Sequence, residues 1–277
     1  MIKRRLLIFI FFLILISLSM PEITLAQNES DSVTKKIDAS DPTKIYTYVG
    51  AGPKFTEYTN NESMLELRAS GNLGISKEDM VFINFGYGFH FGDKVEGSNN
   101  GFTNARARWF HIFKMDYSVA SGYRGWATQI DFQMAGQLKG TDGQNVLSFG
   151  ALPAFGLGKK WSLFVPLNVV NSWDKKFAAY NGMGANISPL FVFNPGNWWE
   201  GAYLQFWGGY TYFFTGELAG RGGANLDITI GGKILPKLTW TILAQKNFDL
   251  DLMSYRRDEN SGTRNDWNIF LNFITYF

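Results

Sequence analysis

Trp267-Asn-Ile-Phe-Leu-Asn-Phe-Ile-Thr-Tyr-Phe277 ends the chain and alternates with period two. Trp267, Ile269, Leu271, Phe273, Thr275 and Phe277 share one face, while Asn268 and Asn272 lie on the other. Neighbouring side chains on a strand point to opposite sides, so the run makes a ribbon with one greasy face and one amide-bearing face. Such a ribbon is not stable alone in water; its two faces need two different surroundings.

The opposite end of the chain supplies a context. Lys3, Arg4 and Arg5 precede an apolar run from Leu6 to Leu18, and Thr24-Leu25-Ala26 offers small residues for cleavage. This pattern predicts a secretory signal peptide over 1–26, removed after Ala26. The run is shorter than the ~20 residues a spanning helix needs. Aromatic residues make up 17% of the chain and glycines number 30, yet no other stretch is apolar for long enough to span as a helix. Alternating barrel strands produce that combination, because half of each strand is polar. The absence of cysteine excludes a disulfide scaffold and a lipidated N-terminal Cys. The leader takes three bases and one acid from totals of 26 and 24, which leaves 23 of each sign. A nucleic-acid partner would require a basic excess, so none is expected.

Residues 27–43 are polar and free of aromatics, which predicts a flexible periplasmic tail. Twelve alternating segments follow, at 44–57, 63–75, 80–92, 105–117, 123–138, 146–156, 161–173, 183–194, 200–214, 221–234, 238–250 and 267–277. Each can supply the ~9–11 tilted residues that cross a hydrocarbon layer. The connections alternate in length. Ser76–Asp79, Ser118–Gly122, Leu157–Lys160, Pro195–Trp199 and Leu235–Lys237 are tight, whereas Asp93–Asn104, Lys139–Asn145, Asp174–Gly182, Thr215–Gly220 and Asp251–Asp266 are longer. Only Tyr58–Glu62 breaks the alternation. Short periplasmic turns and long outer loops are the habit of membrane barrels, and a soluble sandwich has no reason for it.

Parity sharpens the expectation. Val81, Ile83, Phe85, Tyr87, Phe89 and Phe91 oppose Asn84, Gly86, Gly88 and His90. Trp126, Ile130, Phe132 and Met134 oppose Gln129, Asp131, Gln133 and Gln137. Twelve apolar faces exceed what one small interior can hold, so the apolar faces belong outside, in lipid. A Lys or Arg at mid-bilayer costs about 2–4 kcal/mol, which sends Arg68 and Arg106 to the lumen or beyond the membrane. Tyr117, Tyr123, Trp161, Trp198, Trp199, Trp240 and Phe277 fall at one expected rim and Phe102, Trp173, Tyr180 and Tyr255 near the other, as interfacial girdles do. Pro153, Pro166 and Pro189 interrupt expected strands, and a closed barrel has no edge to hold them; bulges or rim positions are required.

No phosphate loop, metal-ligand spacing or nucleophile elbow is present, so no catalytic residue, cofactor or metal is expected. What remains is a polar lumen. Glu66, Arg68, Arg106, Arg108, Gln129, Asp131, Gln133, Asn225, Asp227, Asn247, Asp249, Asn268 and Asn272 are the expected lining, with Lys114, Asp116 and Gln245 on the same parities. Tyr46, Tyr48, Tyr203 and Trp207 add rings. Amides, both charge signs and aromatic faces can hold a polar solute by hydrogen bonds and stacking. The alternative is that these groups satisfy one another and fill the barrel.

The terminal strand with its final aromatic resembles the closing strand of Gram-negative outer-membrane β-barrels, which implies recognition of Phe277 by the barrel-assembly machinery. Ala51-Gly52-Pro53-Lys54-Phe55, Met64-Leu-Glu-Leu-Arg68 and Phe85-Gly-Tyr-Gly-Phe-His-Phe-Gly92, with the twelve-segment layout over 44–277, resemble the nucleoside-specific (Tsx-like) outer-membrane channels. The resemblance implies a channel for small polar solutes, nucleosides among them, and no binding residue is transferred by it. A lipid-modifying enzyme and a non-conducting surface barrel are the alternatives. Outer-membrane phospholipases carry His and Ser two apart on a lipid-facing strand. His111 has lipid-facing parity here, but its neighbours at two residues are Trp109 and Phe113. His111 is read instead as an interfacial ring or the mark of a bulge.

Overall fold

The computed structural model describes residues 37–58, 62–91, 99–136, 138, 144–196, 201–248 and 265–277. The strands are β1 Tyr48–Tyr58, β2 Ser63–Gly74, β3 Asp79–Phe91, β4 Asn100–Met115, β5 Ser121–Ala135, β6 Gln144–Leu157, β7 Trp161–Phe164 and β8 Leu167–Asp174. They continue as β9 Tyr180–Ile187, β10 Leu190–Phe193, β11 Tyr203–Phe213, β12 Gly222–Leu235, β13 Leu238–Phe248 and β14 Asn265–Tyr276. Every pairing is antiparallel, and β1 meets β14 from Tyr48↔Tyr276 to Tyr58↔Asn265, so the sheet closes on itself.

Fourteen strands make twelve crossings, because two crossings are each broken once. β7 and β8 both pair with β6, and β9 and β10 both pair with β11. The breaks fall at Val165-Pro166 and Ser188-Pro189. Proline has no N–H for the ladder, and here three prolines share one transverse line. Each still gives its carbonyl to the next strand: Val165 donates to Pro153, Ser188 to Pro166 and Gly208 to Pro189. The missing donors are thus gathered into one seam, and Gly208 ends it.

The orientation of the wall follows from exposure. Phe85 and Ile83 are 57% and 55% exposed on the outside, whereas Glu66 and Asp131 are 1% and 4% exposed within. Oil therefore faces the apolar parity. Closure is obligatory there, since hydrocarbon offers no partner to an unpaired peptide group.

Of the register shifts along the described strands, three bear on β4 and β5. The β4–β5 register shifts between Ile112 and Lys114, so Phe113 is the extra residue, stacked on Trp126 at 4.1 Å. Past it the parity reverses, and Lys114 pairs with outward-facing Trp126 instead of joining Arg106 and Arg108 in the lumen. Asp116 lies beyond the strand and is exposed. The second bulge places Arg124 out of register between β5 and β6, and the third does the same for Thr103 between β3 and β4.

The N-terminal segment also departs from expectation. β1 begins at Tyr48, not residue 44, and residues 37–43 are a folded turn with Ser40 and Thr43 buried. The polar composition misled because this segment docks through hydrogen bonds. Gln205 Nε2 donates to the Ser40 carbonyl at 3.0 Å, Asn72 Nδ2 to the Tyr46 carbonyl at 2.5 Å, and the Tyr117 hydroxyl to the Thr43 carbonyl at 2.9 Å. Ile45 then packs on an inward-facing core of Phe110, Ile112, Leu152, Phe164, Leu190 and Val192. Gly74 makes room for it, since a Cβ there would sit 2.8 Å from Ile45 Cγ2. The interior at the end carrying both termini is therefore apolar and occupied, where an evenly polar lumen was expected.

Candidate functional site

Midway along the lumen the inward side chains form a polar belt. On β2, Arg68 Nε donates to Glu66 Oε1 at 2.6 Å, and Lys54 of β1 stands 4.0 Å from the other carboxylate oxygen. On β4 and β5, Arg106 and Arg108 converge on Asp131. Arg106 Nε reaches its two oxygens at 2.8 and 3.1 Å, its terminal nitrogen adds a further bond, and Arg108 Nη2 donates at 2.9 Å. Adjacent strands put Arg106 opposite Gln133 and Arg108 opposite Asp131, so parity alone brings the charges together.

Two amide ladders line the rest of the wall. Gln129 Nε2 donates to Asn168 Oδ1 at 2.8 Å, Asn168 donates to Asn186, and Asn186 donates to Thr211 Oγ1 at 2.9 Å. Across the lumen Asn268 donates to Gln245 Oε1 at 2.7 Å, while Gln245 and Asn225 each donate to Asp227 Oδ1 at 2.8 Å. Lys54 and Arg106 lie within electrostatic range of Asp227, which ties this ladder to the charged sector. Where the belt crosses β3, β6 and β11 the wall residues are Gly86, Gly150 and Gly209, and a Cβ would strike the Glu66, Asn168 and Asn225 side chains respectively. The glycines let polar side chains lie flat against the wall.

Of the residues expected from parity, Glu66, Arg68, Arg106, Arg108, Gln129, Asp131, Asn225, Asp227 and Asn268 are joined in this belt. Gln133 stands exposed beside it, Asn247 is half-buried opposite Asn225, and Asn272 lies against Gly50 at the apolar end. Asp249 falls outside the described residues. Asn168, Asn186 and Lys54 escaped the sequence reading, although Asn168 and Asn186 share a parity-two register with Gln129 through Gly150. Tyr48 and Tyr276 pack at 5.5 Å near the termini with Tyr46, where they belong to the filled end and not to the belt.

Outside the barrel His111 accepts or donates one bond, Nδ1 to Asp79 Oδ1 at 2.9 Å, stacks on Trp109 and meets Phe113 edge to face. The bulge beside it and the interfacial ring are thus both present. The nearby Ser76 hydroxyl binds the other oxygen of Asp79 at 3.0 Å, not the imidazole. Among the described residues no hydroxyl is held by His111, so the base of a Ser–His pair has no nucleophile within reach. No group of His, Asp and Glu among the described residues could hold a metal ion.

No protein-family model matches the chain, and no curated protein matches it. Solved structures do. An outer membrane channel from Pseudomonas putida F1 superposes with a TM-score of 0.57 at 10% identity, covering 87% of this chain and 99% of its own. The KdgM porin follows at 0.52 and 6% identity, covering 83% and 99%, and the NanC porin at 0.51 and 7% identity with the same coverage. At such identities the likeness speaks for architecture alone: this chain has the closed-barrel fold of outer-membrane channels.

Proposed function

We propose that the chain is an outer-membrane channel that passes small polar solutes by passive or substrate-selective diffusion. The observation that carries this reading is the set of amides and of both charge signs lining the interior of a closed barrel whose outside is apolar. Buried charges cost several kcal/mol each to desolvate, so a purely structural interior would be built more cheaply from apolar residues. Paired but partly wet arginines, 30% and 20% exposed for Arg106 and Arg108, are groups that exchange partners with a passing solute. Nucleosides are one class that suits the belt, because a ribose can bond the amide ladders while a base stacks on a guanidinium plane. The test is liposome swelling by sugars, amino acids and nucleosides of similar mass. Faster swelling with nucleosides than with the other two supports that class, and no swelling with any solute rejects the channel.

A further inference from the structure

Apart from the belt, the barrel holds a cleft of about 630 Å³ at the end with the tight turns, bounded by the N-terminal segment, the β6–β7 turn and the β10–β11 turn. Its floor is apolar, made by inward-facing Phe164 and Val192, so it opens into the barrel mouth and not toward lipid. Four cationic side chains line it: Lys44, Arg124, Lys159 and Lys160. Two carboxylates, Asp38 and Asp41, share it, and both are already engaged. Asp38 pairs with Lys44 at 2.5 Å, and Asp41 accepts from the Thr43 amide and hydroxyl at 2.9 and 2.6 Å. Burial pushes the Asp41 carboxyl above its ordinary range, against the pull of those two bonds.

Of the remaining cations, Arg124 is held in place. The bulge at Arg124 turns its side chain inward, where Nε donates to the Val119 carbonyl at 2.8 Å and Nη1 to Ser162 Oγ at 2.7 Å. With those two bonds made, Arg124 still lines the cleft. Gly158, at φ 94°, makes the tight turn that presents Lys159 and Lys160 side by side. Among the described residues neither lysine ammonium has an ion-pair or hydrogen-bond partner. Ser162, Asn194 and the Tyr117 ring offer hydroxyl, amide and stacking surfaces next to them.

We infer that this cleft binds a water-soluble, hydroxylated organic anion of monosaccharide size, its carboxylate or phosphate taken by Arg124, Lys159 and Lys160. Paired cations in a partly enclosed site grip an oxyanion by charge-assisted hydrogen bonds, roughly twice the strength of neutral ones. A cleft of this volume admits one sugar ring with room for water around it. The site stands apart from the channel reading, since binding needs no conduction.

Isothermal titration of the folded full-length barrel in neutral detergent, with glucuronate and with glucose, tests it. Glucuronate is expected to bind, glucose not to, and K159Q/K160Q to weaken glucuronate at least about tenfold. Both lysines are exposed turn residues, so the variant keeps its fold, which heat-shifted gel mobility checks. Equal binding of the two sugars, no binding of glucuronate, or unchanged binding by a folded double variant overturns the inference. A barrel that binds glucuronate yet carries no bilayer current would sink the channel and leave this site standing.

Discussion

Replacing Asp131 with asparagine keeps the shape of the side chain and removes the one charge on which Arg106 and Arg108 converge. The belt holds Lys54, Arg68, Arg106 and Arg108 against Glu66, Asp131 and Asp227, so the variant raises its net charge from plus one to plus two. At about 5 Å from an ion on the axis and the dielectric of water, one unit charge is worth about 0.8 kcal/mol. The sign is opposite for cations and anions, so their relative permeability moves by about 1.6 kcal/mol, or about 15-fold. Salt at ~0.1 M, with a screening length near 10 Å, reduces this to about fivefold. Both arginines are partly wet, so water replaces much of the lost pairing, and the stability cost stays near 1–2 kcal/mol. The reversal potential across a planar bilayer with a salt gradient reads the selectivity directly. An unchanged reversal potential from a folded, conducting D131N barrel would show that ions do not pass the belt.

The wall glycines separate two mechanisms. At Gly86 a Cβ first meets side-chain atoms, those of Glu66 and of buried Thr103, so Gly86→Ala should cost less stability than a clash with backbone and should swing Glu66 and Arg68 into the lumen, reducing unitary conductance. At Gly150 the first obstacle is the Leu167 backbone carbonyl, with Asn168 Oδ1 at 2.7 Å, so Gly150→Ala should lower the thermal transition by several degrees, about 2 kcal/mol or more. Equal thermal stability of the two variants would refute the distinction. Ile45→Ala removes the apolar contact that seats the N-terminal segment in the barrel mouth and should raise conductance and its fluctuation, with ion selectivity unchanged. Single-channel recording that finds wild-type current amplitude and noise would count against the segment as the narrow point.

Most of the architecture was legible because a strand writes its burial in every second residue. The period-two segments gave the number of crossings, whereas Pro153, Pro166 and Pro189 called for bulges or rim positions, and two of them instead mark the breaks between β7 and β8 and between β9 and β10. Parity placed Glu66, Arg68, Arg106, Arg108, Asp131, Asp227 and Asn268 in one compartment. It failed at Lys114, since one inserted residue reverses every later side chain, although His111 on the apolar parity was a sign of a bulge in that strand. It failed again at residues 37–43. Their docking uses the carbonyls of Ser40, Thr43 and Tyr46, which every residue owns and no pattern advertises. The apolar interior left a fainter sign, in that Leu190-Phe-Val-Phe193 is apolar on both faces and so needs an apolar partner inside as well as lipid outside. These two misses have one consequence. Along the barrel axis, the polar belt and the occupied mouth are separate stations, so under the proposed channel function the property that chooses a solute and the property that limits its passage rest on different residues. Changes at Asp131 should therefore alter which ions cross, and changes at Ile45 how many.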